Sequence, residues 1–542
     1  MRLHRPVRIA LPLAALVGSV GLVAAAPPAR GAGGWTFRIS ASAGLSSPDY
    51  VLDPALGPVG APGYGAFGSI FNSTCATLYG HRDRGGPGGG RLVPEVASGP
   101  PRVSRNGRKY TFTIRRGFRF DTGAPVTAES FRTAISRGLS PTLRSPAAGY
   151  LRDVVGAAEV VAGTAQAPSG VRAHGRELAI TLTHPAPDLV ARLAVAYFCA
   201  IPAGTPVVPG GVRAASAGPY YVAQVDQTTI LLKRNPYYGG SRPRHPAAIA
   251  FLLNRPLDSI PLEVERGNAD LGVIAPYQTA VVARDYPSLF HVGLGTGVAC
   301  LALNTSRPLF ANPQLRKAVN YAIDRRRLAE QFGYFVSRRR TDQYLPPTMP
   351  GFHDAHIYPL DRPNFRKARL LARGHLGTGR AIMYYRSAVA SAIARAEIVR
   401  YDLGRIGISV EIRQENPLGA SGRRGEPFDI VDSGCTTAYQ DPYGVLNLSF
   451  DGSLIKPTGN TNISYFDSAR FNKRLHSAAR LRGAARYRTY GQIDVDLARE
   501  AAPAVAYGLF QNTAFVSPRI GCVSLNPVKG FLPGASCLKR PQ

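Results

Sequence analysis

The N-terminal segment decides the compartment in which everything after it must fold. Arg2, Arg5 and Arg8 precede an apolar run from Ile9 to Ala26, and small residues follow it between Ala24 and Ala32. A cationic head, an apolar middle and a small-residue end make the pattern of an export leader. The run is 18 residues long and holds Pro12, slightly short of the roughly 20 residues that span a bilayer. Removal of residues 1–31 is therefore expected, with retention as a membrane anchor the alternative.

Export changes what the cysteines mean. Cys75, Cys199, Cys300, Cys435, Cys522 and Cys537 form an even set, and outside the cytoplasm thiols are held as disulfides. Buried free thiols are the alternative, and sequence alone leaves the pairing open. No cysteine lies in the leader, so no lipid anchor is expected on the periplasmic or extracellular side of the envelope. The two nearest cysteines are 15 residues apart, which excludes a CxxC redox motif and close-spaced zinc ligands.

A chain of 542 residues is long enough for two to four domains at about 150 residues each. Its 65 basic and 34 acidic residues leave a net charge of +31, and only 8 of the basic residues are Lys. Two readings follow. Arginines scattered along the whole chain fit a compositional preference, whereas a surplus cation seeks polyanions such as teichoic acids or anionic lipid. Ser337 to Arg340 (SRRR) is a dense run. An exported chain is not expected to meet nucleic acid.

Periodicity supplies the elements. Trp35 to Ile39 reads as a strand, Gly44 to Gly65 as irregular backbone, and His81 to Gly90 as a turn. Lys109 to Arg115 alternates as a half-buried strand. Thr127 can cap a helix in which Phe131, Ile135 and Leu139 recur every four residues, with Glu129 favouring its positive end. Ser216 to Val222 reads as loop into strand with Thr229 to Arg234 as its partner, and Glu263 to Val273 as helix, turn and strand. Ala299 to Asn304 reads as a strand and Leu315 to Leu328 as one helix. A further cycle follows: helix Asn364 to Ala372, strand Ala381 to Tyr385, helix Ala388 to Leu403, strand Ile408 to Ile412, strand Phe428 to Ser433. Alternating strands and helices predict α/β layers with ligand crevices at strand ends.

Five stretches resemble one family. They are Tyr110 to Phe131 (YTFTIRRGFRFDTGAPVTAESF), Ser216 to Gly240, Leu301 to Arg325 (LALNTSRPLFANPQLRKAVNYAIDR), Asp402 to Ile412, and Phe428 to Leu446 (FDIVDSGCTTAYQDPYGVL). In this order they are similar to the extracellular solute-binding proteins of family 5, the oligopeptide, dipeptide and nickel-type receptors of ABC importers. The resemblance implies an α/β, two-lobed periplasmic-binding-protein-like (type II) fold with an extra domain inserted in the first lobe. Residues 32–76, 206–295 and 516–542 would form lobe I, 77–205 the insert and 296–515 lobe II. Under that layout Cys75 would pair with Cys199, Cys300 with Cys435 and Cys522 with Cys537, leaving the lobes free to close.

The same resemblance implies a site. Peptide-binding members read Gly-Trp-x-x-Asp-Tyr-x-Asp-Pro where this chain has Gly434 to Pro442, and the first Asp pairs with a ligand ammonium. Here that position is Ala438, and Cys435 replaces the Trp. A buried ammonium without a counter-charge is costly, so the usual anchor for a peptide amino terminus is absent. Ser433, Gly434, Thr436, Thr437, Ala438, Tyr439 and Asp441 remain the implied contacts, Asp441 mainly as a turn former. Tyr384 would lie near the cleft, and Gly57, Val59 and Gly60, after Leu52-Asp53-Pro54, would bring backbone to the ligand.

Enzyme readings find little support. GxSxG, HExxH and GxxxxGK[ST] are absent, so neither a serine nucleophile, a zinc-protease pair nor a phosphate loop is announced. His353, Asp354 and His356 resemble metal ligands, but a polar surface turn explains them equally. No cofactor and no catalysis are expected. The expected function is capture of a small solute, by family default a peptide, as a monomer that serves a permease and its ATPase. The alternative is a secreted protein that binds polyanions or the envelope surface.

Overall fold

The computed structural model describes residues 34–42, 48–57, 65–275, 278–331, 339–386 and 390–539. The leader, Val59, Gly60, Ser337 and Arg338 lie outside the described residues. Among the described residues, no helix is long and apolar enough to cross a membrane.

Ten strands make one mixed sheet. In chain order they are β1 (Thr36–Ser40), β2 (Tyr220–Val225), β3 (Thr229–Arg234), β4 (Ala248–Leu252) and β5 (Leu271–Gly272), followed by β6 (Phe290–Leu303), β7 (Arg380–Tyr385), β8 (Ser409–Gln414), β9 (Ile430–Cys435) and β10 (Ala504–Val516). Across the sheet they run β8-β7-β9-β6-β10-β5-β1-β4-β3-β2. The centre is the antiparallel pair β6 and β10. Phe290 to Leu294 pairs with Gln511 to Phe515, Val298 to Ala302 pairs with Ala504 to Leu509, and the register shifts between these halves. One half carries β9 and then parallel β7 and β8; the other continues through β5 to β1 and β4.

Successive strand residues face opposite ways, and the two faces of β6 and β10 fill separate cores. Ala299, Leu301, Leu303, Val505 and Tyr507 pack with Leu315, Val319 and Val399 on one side. Val298, Cys300, Ala504 and Leu509 pack with Tyr344, Phe450, Leu475 and Tyr490 on the other. Burying each such aliphatic or aromatic side chain contributes about 1.5–3 kcal/mol.

Residues from Ala76 to Ala200 supply nearly all of a third core. Its four-stranded antiparallel sheet includes Lys109–Thr113 and Glu177–Thr181, covered by helix Ala128–Leu139. Phe131, Ile135 and Leu139 are each buried, and the Thr127 amide donates to Ser130 Oγ at 3.2 Å. Glu129 also pairs with Arg132 at 2.7 Å. Two buried clusters bind this region to the rest. Arg242 and Lys529 both grip Asp83, at 2.7 and 2.5 Å, and Arg137 pairs with Asp53. Disulfides join Cys75 to Cys199, Cys300 to Cys435 and Cys522 to Cys537, with Cα separations of 5.3, 5.9 and 5.0 Å.

Three expectations need correction. The stretch from Leu315 to Leu328 is two helices, Pro313–Ala322 and Arg325–Glu330. Asp324 breaks it, because its side chain accepts from the Arg327 amide at 3.0 Å and starts the second helix. Residues 48–52, expected to be irregular, form a short helix that begins at Pro48, where the fixed proline φ suits a first turn. His81 is strand rather than turn, in Tyr79–His81, with Nδ1 2.8 Å from the Gly90 carbonyl.

Candidate functional site

Strand β9 begins apolar and ends polar. Ile430 and Val431 are fully buried, while Gly434 is exposed and Ser433 half-buried. Pairing with β6 sets Cys435 opposite Val298, Gly434 opposite Ala299 and Ser433 opposite Cys300. The polar end of β9 therefore arrives where the register between β6 and β10 shifts. Thr436 is exposed there, and Thr437 and Ala438 are half-buried. Ser433, Gly434, Thr436, Thr437 and Ala438 thus form one partly open strip at a strand end.

Close approach at this junction depends on glycine. A Cβ on Gly297 would stand 2.6 Å from Thr436 Cγ2 and 2.8 Å from Phe510 Cδ2. A Cβ on Gly295 would meet the Phe510 carbonyl at 2.8 Å, and the Gly295 carbonyl accepts from Thr348 Oγ1 at 2.9 Å. The alternating Gly293, Gly295 and Gly297 in β6 are the sequence signal for this crossing, and periodicity reasoning passes over them because glycine weakens a strand pattern.

Tyr439 and Asp441 turn inward. Tyr439 is buried, donates its hydroxyl to Asp188 Oδ2 at 3.2 Å and sets its ring edge-on to Tyr150 at 6.0 Å. Burial, then the nearby Asp188 charge, holds its hydroxyl far above the usual tyrosine range. Asp188 lies 3.2 Å from Arg192 Nε, and Arg192 grips Asp153 through two bonds of 2.7 and 2.9 Å. Asp441 is clamped by Arg486 at 2.5 and 2.7 Å and accepts from the Tyr443 amide at 2.9 Å. Burial raises its pKa against the opposing pull of Arg486. In this structure both side chains are engaged within the protein.

Tyr384 lies on β7 beside Val431 of β9. It is 7% exposed, packs on Phe428 at 5.6 Å and donates to Glu426 Oε1 at 3.2 Å. Gly57 is buried against Phe71, whose Cε2 would lie 2.1 Å from an added Cβ. Among the described residues no group of three or more His, Cys, Asp or Glu is placed to hold a metal ion, His353, Asp354 and His356 included. The polar groups missed from sequence are Asp188, Arg192 and Arg486, whose partners lie 39 to 251 residues away or one turn along a helix. A second missed group surrounds Asp432 in β9, which accepts from Arg395 Nε at 2.6 Å and the Tyr507 hydroxyl at 2.9 Å.

The family described as bacterial extracellular solute-binding proteins, family 5 Middle, matches residues 91–456. The probable deoxycholate-binding periplasmic protein YgiS of Escherichia coli (strain K12) is 24% identical over 425 residues, 73% of this chain and 76% of that one. The periplasmic oligopeptide-binding protein OppA of the same strain is 22% identical over 447 residues, 77% and 79% of the two chains. Among solved structures, clavulanic acid biosynthesis oligopeptide binding protein 2 superposes with a TM-score of 0.81 at 22% identity, covering 94% of this chain and 96% of its own. The unliganded open form of the murein tripeptide binding protein MppA gives 0.74 at 21% identity, covering 93% and 97%. With a match over more than half its length, on a fold shared almost end to end, the chain belongs to the bacterial extracellular solute-binding proteins of family 5, exported proteins that capture solutes for ABC import.

Proposed function

We propose that this protein takes up a peptide-sized solute between two lobes that meet at the β6 and β10 crossing, and presents it to a permease and its ATPase. Residues 32–76, 206–295 and 516–542 form lobe I in this reading, 77–205 the insert and 296–515 lobe II. The observation that carries it is the partly open strip of Ser433, Gly434 and Thr436 to Ala438 beside Gly295 and Gly297, where a sheet shared by both halves changes register. A ligand touching both halves stabilises the closed arrangement by its extra contacts there. The protein works as a monomer, without catalysis or cofactor, and residues 1–31 are removed without lipid addition. An intact mass that includes Met1 or a diacylglycerol would contradict that last point.

Ala438 narrows the ligand. A carboxylate at this position would receive a peptide ammonium, and alanine leaves that charge without a partner. Peptides with blocked amino ends, or solutes with no ammonium at all, fit better. Mass spectrometry of whatever copurifies with the secreted protein identifies the class. By calorimetry, free-amino peptides should bind weakly, and Ala438→Asp should improve them by part of the about 1.5–3 kcal/mol of a charged hydrogen bond. Tight binding of free-amino peptides to the parent, unchanged or weakened in Ala438→Asp, would place the ammonium elsewhere and end this reading of the position.

A further inference from the structure

Cations crowd one face of the helices outside β7 and β8. Helix Phe365–Ala372 reads FRKARLLA and is followed by Arg373. Arg366, Arg369 and Arg373 recur at the three- and four-residue spacing that stacks side chains on one helix face. Leu370 stands among them, 64% exposed. On helix Ala390–Gly404, Tyr401 is 54% exposed.

The two helices share this face. Arg369 Nη1 donates to the carbonyl of Arg405 at 3.3 Å. The Arg405 guanidinium lies 4.9 Å from the Phe365 ring centroid and 5.9 Å from that of Tyr401. Arg327 lies 5.6 Å from the same tyrosine ring. Neighbouring cations are already compensated, Arg326 by Glu330 at 3.8 Å and Arg400 by Glu397 at 2.5 Å. Arg327, Arg366, Arg369, Arg373 and Arg405 are exposed and stand in no ion pair among the described residues. Like charges at such spacing destabilise a helix, and a counter-charge outside the molecule removes that cost.

We propose that this face rests on an anionic phospholipid surface, with Leu370 and Tyr401 entering the headgroup layer. The apolar pair selects the bilayer. A dissolved polyanion meets the arginines but leaves Leu370 and Tyr401 in water, whereas a membrane interface takes both the apolar tips and the cations around them. Anionic headgroups attract a clustered basic surface within roughly a Debye length, so the contact is reversible and salt-sensitive. It would hold the exported protein beside the membrane whatever solute it carries.

Cosedimentation of the exported protein with phosphatidylglycerol and with phosphatidylcholine vesicles tests this. Binding is expected to phosphatidylglycerol alone, falling several-fold as salt rises. Arg366→Glu, Arg369→Glu and Arg373→Glu together should reduce it about tenfold or more, the scale of several neutralised contacts, and Leu370→Ser alone several-fold. The matched control Arg105→Glu, Arg108→Glu, Arg116→Glu, on an exposed stretch elsewhere, should bind as the parent does. All variants should keep the parent melting temperature. Equal binding to phosphatidylcholine, or an equal loss in the control, overturns the proposal. So does an unaffected Leu370→Ser whose binding soluble polyphosphate abolishes, since the partner is then a phosphate polymer.

Discussion

Asp494 shows what a buried carboxyl does when the donors it accepts from are neutral. It is fully buried and accepts from the amides of Tyr344 and Leu345, at 3.0 and 3.4 Å, and from Gln343 Nε2 at 3.2 Å. Burial outweighs those bonds and pushes its pKa from 3.8 up to about 7. Between those values the folded state binds a proton that the unfolded chain has lost, so this group's contribution to stability is present at low pH and lost as pH rises through about 7. Buried His81 works in the opposite sense, because burial lowers its pKa from 6.5 to about 4 and the unfolded chain takes up the proton first as pH falls. The difference between parent and Asp494→Asn isolates the first effect. Urea midpoints measured from pH 4 to pH 8 should show the parent's advantage over the variant shrinking as pH rises toward the pKa of about 7. An advantage that grows with pH would mean that Asp494 is ionised in the fold and held by its donors.

Among elements, the loop after β9 is where residues from distant stretches meet. Its outer part, Thr436 to Ala438, is partly open, while Tyr439 is drawn into the core built mainly from residues 76 to 200. Tyr439→Phe keeps the ring contact with Tyr150 and removes the donor to Asp188, whose side chain is 3% exposed. A buried acceptor deprived of its donor costs about 1–3 kcal/mol. Equilibrium denaturation should find that loss in Tyr439→Phe and much less of it when Asp188→Asn is already present. Two independent losses of full size would show that the hydroxyl and the carboxylate do not interact. The same loop shows the limit of reading a motif. Its letters marked a site, but which residues face solvent and which face Arg486 and Asp188 depends on partners from other parts of the chain.

At the scale of the molecule, the disulfides follow the division made by β6 and β10. Cys300 and Cys435 are 135 residues apart and tie β6 to β9 on one side of the crossing, whereas Cys522 and Cys537 close a loop of only 15. A crosslink restricts the unfolded chain more when its loop is longer, with typical contributions of about 2–4 kcal/mol. Replacing Cys300 and Cys435 by alanine should therefore cost more stability than replacing Cys522 and Cys537, as measured by denaturant midpoints. The reverse order would show that native packing around the bridges, and not loop length, sets their worth. Sequence alone was enough for what local chemistry controls. The strands around Phe112 and Ile230, the helix capped at Thr127 and the α/β alternation all follow from side-chain period and capping groups close in the chain. All of β10 and the first half of β6 escaped that reading. Glycines at 293, 295 and 297 carry no hydrophobic pattern, and a strand that runs from one half of the sheet to the other is held by partners over two hundred residues away. The break at Asp324, the inward turn of Tyr439 and the clamp of Arg486 on Asp441 were likewise decided only in three dimensions, because a buried charge takes whichever partner the packed chain brings within hydrogen-bond reach.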